Sequence, residues 1–200
     1  FRPEQVDMAT AVEEAFRNAK HLIVEAGTGT GKSLSYLIPA ILWAVENNKK
    51  VVISTYTKTL QHQILNHDIP FLRDKLGIAF RYALCMGNEN YLSLRRLKRS
   101  AQAGLFTRSD EENQWDGIFN WAEETETGFR SDLPFEVLPQ VWEEVGRQKD
   151  LCLGKSCETH LSCFYFKARK KWFGAHLLIV NHHLFFANVA NAGAVLPAFD

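Results

Sequence analysis

The densest chemistry in the sequence lies in Ala26-Gly27-Thr28-Gly29-Thr30-Gly31-Lys32-Ser33. Glycines alternating with threonines let successive backbone N–H groups turn toward one anion, and the Lys-Ser pair adds a point charge and a hydroxyl. In a phosphate-cradling P-loop of this kind, Lys32 reaches the β- and γ-phosphates of a nucleotide and Ser33 holds Mg2+. Such a loop works between a strand and a helix, because the helix N-terminus favours the phosphate charge. Both flanks are legible. Residues 21–25 (His-Leu-Ile-Val-Glu) read as a short buried strand, and residues 32–47 as a helix apolar on most sides. A glycine turn with a stray lysine is the competing reading, but these features rarely coincide by chance.

Cys152-x4-Cys157-x5-Cys163 is the second constellation. The segment between these cysteines holds too few apolar residues to form a core. The sequence carries no signal-peptide pattern and no apolar run long enough to span a bilayer. A cytoplasmic, reducing compartment is therefore expected, where clustered thiols are metal ligands or reactive groups more often than disulfides. Three cysteines this close suggest a [4Fe–4S] cluster or another metal site. A cluster of three thiolates with a non-cysteine or exchangeable fourth ligand ranks first, and zinc with His160 completing the set ranks second. An unmetallated set of reduced thiols is third. Cys85, taken alone, reads as a small buried hydrophobe at a strand end.

These groups need elements to hold them. Residues 3–20 form an amphipathic pattern with Val6, Ala9, Val12 and Phe16 three to four apart. Pro39 falls inside the helix that follows the loop and should kink it. Residues 50–55 are rich in β-branched side chains, and a helix is expected to start near Thr57. Strand–helix alternation at this spacing predicts an α/β fold, a P-loop (RecA-like) parallel sheet with helices on both faces. After Leu84 the rhythm changes: residues 90–102 and 115–124 read as helices, and 128–139 as irregular. A buried strand returns at residues 175–180. Residues 1–85 are thus expected to begin the main domain, 86–173 to form a small, mainly helical insert, and 174–200 to return to the sheet. His182 and His183 follow that strand without a ligand partner at obvious spacing and read as structural.

Charge balances overall, with 23 Lys plus Arg against 23 Asp plus Glu, so net charge does not select a partner. Its distribution is blocked. Arg95, Arg96, Lys98, Arg99 and Arg108 form one basic stretch, residues 110–144 are mostly acidic, and 155–171 turn basic again. Blocks of this sort are solvated faces or phosphate tracks. Phe164, Tyr165, Phe166, Trp172 and Phe173 interleave with Lys167, Arg169, Lys170 and Lys171, a composition suited to single strands. Packing of the rings, with Lys167, Arg169 and Lys170 facing DNA, is the favoured reading.

Taken in order, several features resemble one family. They are Arg2-Pro-Glu-Gln5, the AGTGTGKS loop, Ser54-Thr-Tyr-Thr-Lys-Thr-Leu-Gln61, Asn90-Tyr-Leu, the three cysteines and Val180-Asn-His-His-Leu184. Together they resemble the DinG branch of the XPD-like iron–sulfur superfamily 2 DNA helicases over essentially the whole chain. Ala26 in place of the usual Gly is a form common among helicases. The resemblance implies an ATP- and Mg2+-dependent enzyme that unwinds DNA 5′→3′, with an iron–sulfur domain inserted in its first motor domain. It implies that Arg2 and Gln5 belong to a Q motif reading adenine. Gly27, Thr28, Gly29, Thr30, Gly31, Lys32 and Ser33 would bind nucleotide. Ser54, Thr55, Thr57 and Gln61 would hold a single-strand backbone.

The family supplies its first cluster cysteine from Asn-Tyr-Leu-Cys, where this chain has Ser93. The fourth ligand is therefore Ser93 or, if the chain bends back, Cys85. The family also implies single-stranded DNA and DNA junctions as partners, a role in DNA repair, and a monomer. Hydrolysis in this class needs an Asp-Glu pair at a strand end. Asp110-Glu111 has no apolar strand before it, so the segment is expected to stop short of that motif and to be inactive alone. The alternatives are a metal-binding DNA-recognition module on a degenerate nucleotide fold, or a P-loop NTPase acting on something other than nucleic acid.

Overall fold

The structure is a computed structural model describing residues 2–27, 29–103 and 109–199; Thr28 and Arg108 lie outside the described residues. Two compact units divide the chain, Phe1–Cys85 with Lys171–Asp200, and Met86–Lys170.

In the first unit, α1 (Pro3–Arg17) starts with proline in its first turn, where no intrahelical donor is needed. It packs along α2 (Lys32–Glu46), with Phe16 stacked on Trp43 at a centroid distance of 5.1 Å. α2 continues as one helix through Pro39, which is buried. Next come β1 (Val51–Thr55), α3 (Lys58–Gln63), a wide π turn at Ile64–Asp68, α4 (Ile69–Leu76) and β2 (Tyr82–Leu84). The wide turn leads into Pro70, which has no N–H to give a regular ladder.

The three strands of this unit pair in parallel in the order β1-β3-β2, with β3 (Leu177–Asn181) central. Val51 faces Leu177 and Thr55 faces Asn181 across one ladder, and Tyr82 faces Leu177 across the other. Leu177 to Val180 are each 0% exposed, as befits a strand covered on both faces. Leu37, Ile41, Ile64, Leu72, Leu177 and Ile179 centre the core.

The strand expected at residues 21–25 does not form. The segment lies between α1 and α2 without regular structure, and Ile23 is 98% exposed. Its apolar run reads as a strand, but no strand among the described residues pairs with it. Unpaired extended backbone gains no ladder bonds, so composition alone cannot hold it as a strand.

The second unit is mainly helical: α5 (Leu94–Ala103), α6 (Ser109–Glu124), α7 (Pro139–Val145) and the first part of α8 (Phe164–Gly174). α5 and α6 pack on α7 over Tyr91, Leu92, Ile118, Val141 and Val145, each 0–1% exposed. Single antiparallel bridges, Tyr91 with Phe129 and Leu92 with Gly146, tie the loops to the helices. α5 begins four residues later than periodicity suggests, since Ser93 takes the cap position ahead of it. In the first unit, Asn181 caps α9 (His182–Ala190), its side chain accepting the Leu184 N–H at 2.7 Å.

Candidate nucleotide and nucleic-acid site

The loop before α2 depends on glycine. Gly29 and Gly31 have φ of +79° and +82°, left-handed values that cost an L side chain about 1–2 kcal/mol. Gly31 is the residue before α2, and its carbonyl accepts the N–H groups of Leu34 and Ser35. A Cβ here would collide with the Gln5 side-chain amide. Lys32 Nζ donates to the carbonyls of Ala26 at 2.8 Å and Gly27 at 2.6 Å. Thr30 Oγ1 donates to Gly27 O at 3.0 Å. The first turn of α2 carries no acid, so nothing on the helix repels an incoming phosphate.

The start of α1 sits on this loop. The Arg2 guanidinium donates to the Gly29 carbonyl at 2.6 Å, and Gln5 Nε2 donates to the Gly31 carbonyl at 3.2 Å. Ser33 lies one turn before Tyr36 on α2. Burial pushes the Tyr36 phenol up, with Ser33 acting in the opposite direction and Asp68 adding to the rise.

The carboxyl ends of β1 and β3 meet in register. Ser54 Oγ lies 2.7 Å from His182 Nδ1, and the Tyr56 and His182 rings are 6.0 Å apart. Thr55 is buried and donates to the Thr57 carbonyl at 3.3 Å, while the Thr57 hydroxyl caps α3 by accepting the Leu60 N–H at 3.2 Å. Gln61 is 3% exposed, and its Nε2 has no hydrogen-bond partner among the described residues. Tyr56, Thr57 and Thr59 are exposed in this segment, Tyr56 being 76% exposed. Sequence reasoning missed Tyr56, and it missed the Ser54–His182 contact, which becomes legible once β1 and β3 are paired.

In the second unit, Cys152, Cys157 and Cys163 line one cavity together with Ser93 and His160. Arg95, Arg96 and Arg147 line it too. The Gly154 N–H donates to Cys152 Sγ at 3.4 Å, and Cys157 Sγ lies 3.3 Å from Thr159 Oγ1. Among the described residues, no group of three or more His, Cys, Asp or Glu stands ready to hold a metal ion. Cys85 is 0% exposed at the end of β2, its thiol 3.9 Å from the Ala83 carbonyl in the first unit.

Along α8 the rings of Phe164, Tyr165 and Trp172 are buried, whereas Lys167 and Lys170 are exposed and Arg169 is half-buried. Lys167 Nζ lies 5.8 Å from the Phe164 ring centre, and the Arg169 guanidinium 5.9 Å from that of Tyr165. Phe164, Tyr165 and Trp172 therefore pack inward, whereas Phe166 is half-buried and Phe173 is exposed beside the lysines. Among the described residues, no helix is long and apolar enough to cross a membrane.

Residues 5–114 match the DEAD/DEAH box helicase family. The chain is 38% identical to the ATP-dependent DNA helicase YoaA of Haemophilus influenzae, over 95% of this chain and 30% of that protein. It is 37% identical to YoaA of Escherichia coli, over 100% of this chain and 32% of that protein. It is 36% identical to the ATP-dependent helicase DinG of Mycobacterium tuberculosis, over 98% of this chain and 32% of that protein. The chain thus spans about a third of the length of these relatives. With a family match across more than half its residues and a three-stranded parallel sheet among the described residues, the chain belongs to the DEAD/DEAH box helicases and is of the DinG type.

Proposed function

We propose that this chain is the ATP-binding part of a DNA helicase that translocates 5′→3′ on single-stranded DNA. The observation that carries the reading is the seating of Arg2 and Gln5 on the carbonyls of Gly29 and Gly31, beside Lys32. Adenine recognition and phosphate binding then share one rigid loop. On nucleotide entry Lys32 exchanges the Ala26 and Gly27 carbonyls for β- and γ-phosphate oxygens, a stronger charge-assisted contact. Ser33, the first hydroxyl of α2 after Lys32, would hold Mg2+. The Asp-Glu pair and the arginine that hydrolysis requires come from other parts of the parent protein.

DNA lies along the carboxyl edge of the sheet, where Thr57 and the backbone after β1 meet phosphates and Ser54 and Thr55 brace that turn. Open α/β sheets bind their ligands at this edge. Lys167, Arg169 and Lys170 form a second phosphate track. Cys152, Cys157 and Cys163 would supply three ligands of a [4Fe–4S] cluster, a reading carried by their spacing in the sequence rather than by a gathered ligand set among the described residues. When bound, the cluster staples a unit with a small core around its ligands.

Strand displacement by the full-length parent tests this reading. The wild type should unwind a duplex with a 5′ overhang, need ATP and Mg2+, and leave a 3′-overhang duplex intact. Lys32→Ala should lose unwinding while keeping its melting temperature. ATP-independent displacement, or a Lys32→Ala variant at the wild-type rate, would overturn it.

A further inference from the structure

We infer that the rings of Tyr56, His182 and Phe186 form a platform on which the bases of single-stranded DNA stack, an inference that rests on the DNA edge proposed above. β1 and β3 pair in register with Thr55 opposite Asn181, so the residues that follow the two strands emerge side by side. The Tyr56 and His182 ring centres lie 6.0 Å apart, and those of His182 and Phe186 6.3 Å apart, so the imidazole links the two larger rings. Ser54 Oγ, 2.7 Å from Nδ1, steadies that imidazole. Leu184 and Asn188 are the buried residues of α9 and anchor its inner side. His182 and Phe186 stand four residues apart on another face of the helix, with Val189 about one turn further on. That face is open to solvent: Phe186 is 63% and Val189 59% exposed, beside Tyr56 at 76%.

Apolar side chains scattered singly over a surface need no explanation, but contiguous ones mark a binding face. The charge around the rings decides what they take up. Residues 54–63 and 181–193 contain no Asp or Glu. The N-terminus of α9, with its partial positive charge, begins at His182 itself. The surroundings therefore favour an anion, and the rings favour a flat apolar group. A single strand supplies both along its length, whereas a duplex keeps its base faces covered. Thr57 and the backbone after β1 would meet phosphates alone and hold a strand with or without bases. The platform adds a grip on the bases themselves. It does so without choosing a sequence, because every base offers a π face.

Titration of the full-length parent against a labelled oligonucleotide, and against an abasic strand of the same length, tests the inference. Removing the bases leaves the phosphates in place. Wild type should bind the base-bearing strand more tightly. Tyr56→Ala and Phe186→Ala should each weaken that binding about tenfold, the stacking of one base, and leave the affinity for the abasic strand at the wild-type value. Tyr56→Phe, which keeps a ring and loses the hydroxyl, should bind as the wild type does. Equal affinity of the wild type for the two strands, or a Tyr56→Ala variant that keeps the full preference for bases, would overturn the platform. Unaltered DNA binding with a lowered melting temperature in Tyr56→Ala would overturn it too, assigning the ring to packing within the parent. Wild type that binds neither strand removes the DNA edge itself, and the platform with it; that result is distinct from equal binding of both strands.

Discussion

Gln5 Nε2 and the Gly31 carbonyl lie 3.2 Å apart, so the first helix touches the phosphate loop at the residue whose backbone turns into α2. The contact works only because Gly31 has no Cβ: any side chain there would strike the Gln5 amide.

Gly31→Ala should therefore weaken nucleotide binding through two additive effects, left-handed strain of about 1–2 kcal/mol and displacement of Gln5. Gly31→Ala combined with Gln5→Ala should remove the steric part but not the strain. Nucleotide titration of the full-length protein checks this, and wild-type affinity for Gly31→Ala would show that the loop adopts another conformation when filled.

The Ser54–His182 pair joins the end of β1 to the start of α9. A lost hydrogen bond of this kind is worth about 1 kcal/mol. His182→Ala should thus weaken single-strand DNA binding by about fivefold and leave nucleotide affinity unchanged. Anisotropy with a labelled oligonucleotide measures it; unaltered DNA affinity would take that turn out of the DNA contact.

Much of this site is legible in the sequence, for identifiable reasons. The spacing of Gly27, Gly29, Gly31 and Lys32 encodes backbone geometry directly, so the loop and α2 can be placed without contacts. Thr57 as a helix cap is likewise a local signal, and the hydroxyl takes that role. Residues 21–25 mislead because apolar periodicity does not report whether a partner strand exists. Gln61 reads as a DNA contact by its place in the motif, yet α3 turns it inward to 3% exposure. Tyr56 and His182 are brought together by strand pairing between residues far apart in sequence, which no local pattern conveys.

His176 gives a pH dependence. Burial lowers its pKa below the ordinary value of 6.5, and the cations Arg81 and Lys50 push it the same way. The neutral ring accepts the Arg81 N–H at 3.2 Å through Nδ1, at the entry to β2 and β3. Its folded value being the lower one, its stabilisation is complete above pH 6.5 and is lost as the pH falls below that. Denaturant midpoints measured between pH 8 and pH 5 should fall more for wild type than for His176→Asn. Parallel curves would assign the pH dependence to other groups.

The 200-residue segment expressed alone should release no phosphate above background with Mg2+ and DNA. Its three described strands end in Thr55, Leu84 and Asn181, none of them an acid that could orient water. Steady turnover by the purified segment would mean that acids elsewhere in it orient the water.

Phosphate release by the full-length parent, with and without single-stranded DNA, tests the central claim most directly. Wild type should hydrolyse ATP slowly alone and many times faster with DNA. Lys32→Ala should stay at background in both conditions, with its thermal unfolding unchanged. Hydrolysis indifferent to DNA, or DNA-stimulated hydrolysis that survives Lys32→Ala, would contradict the account.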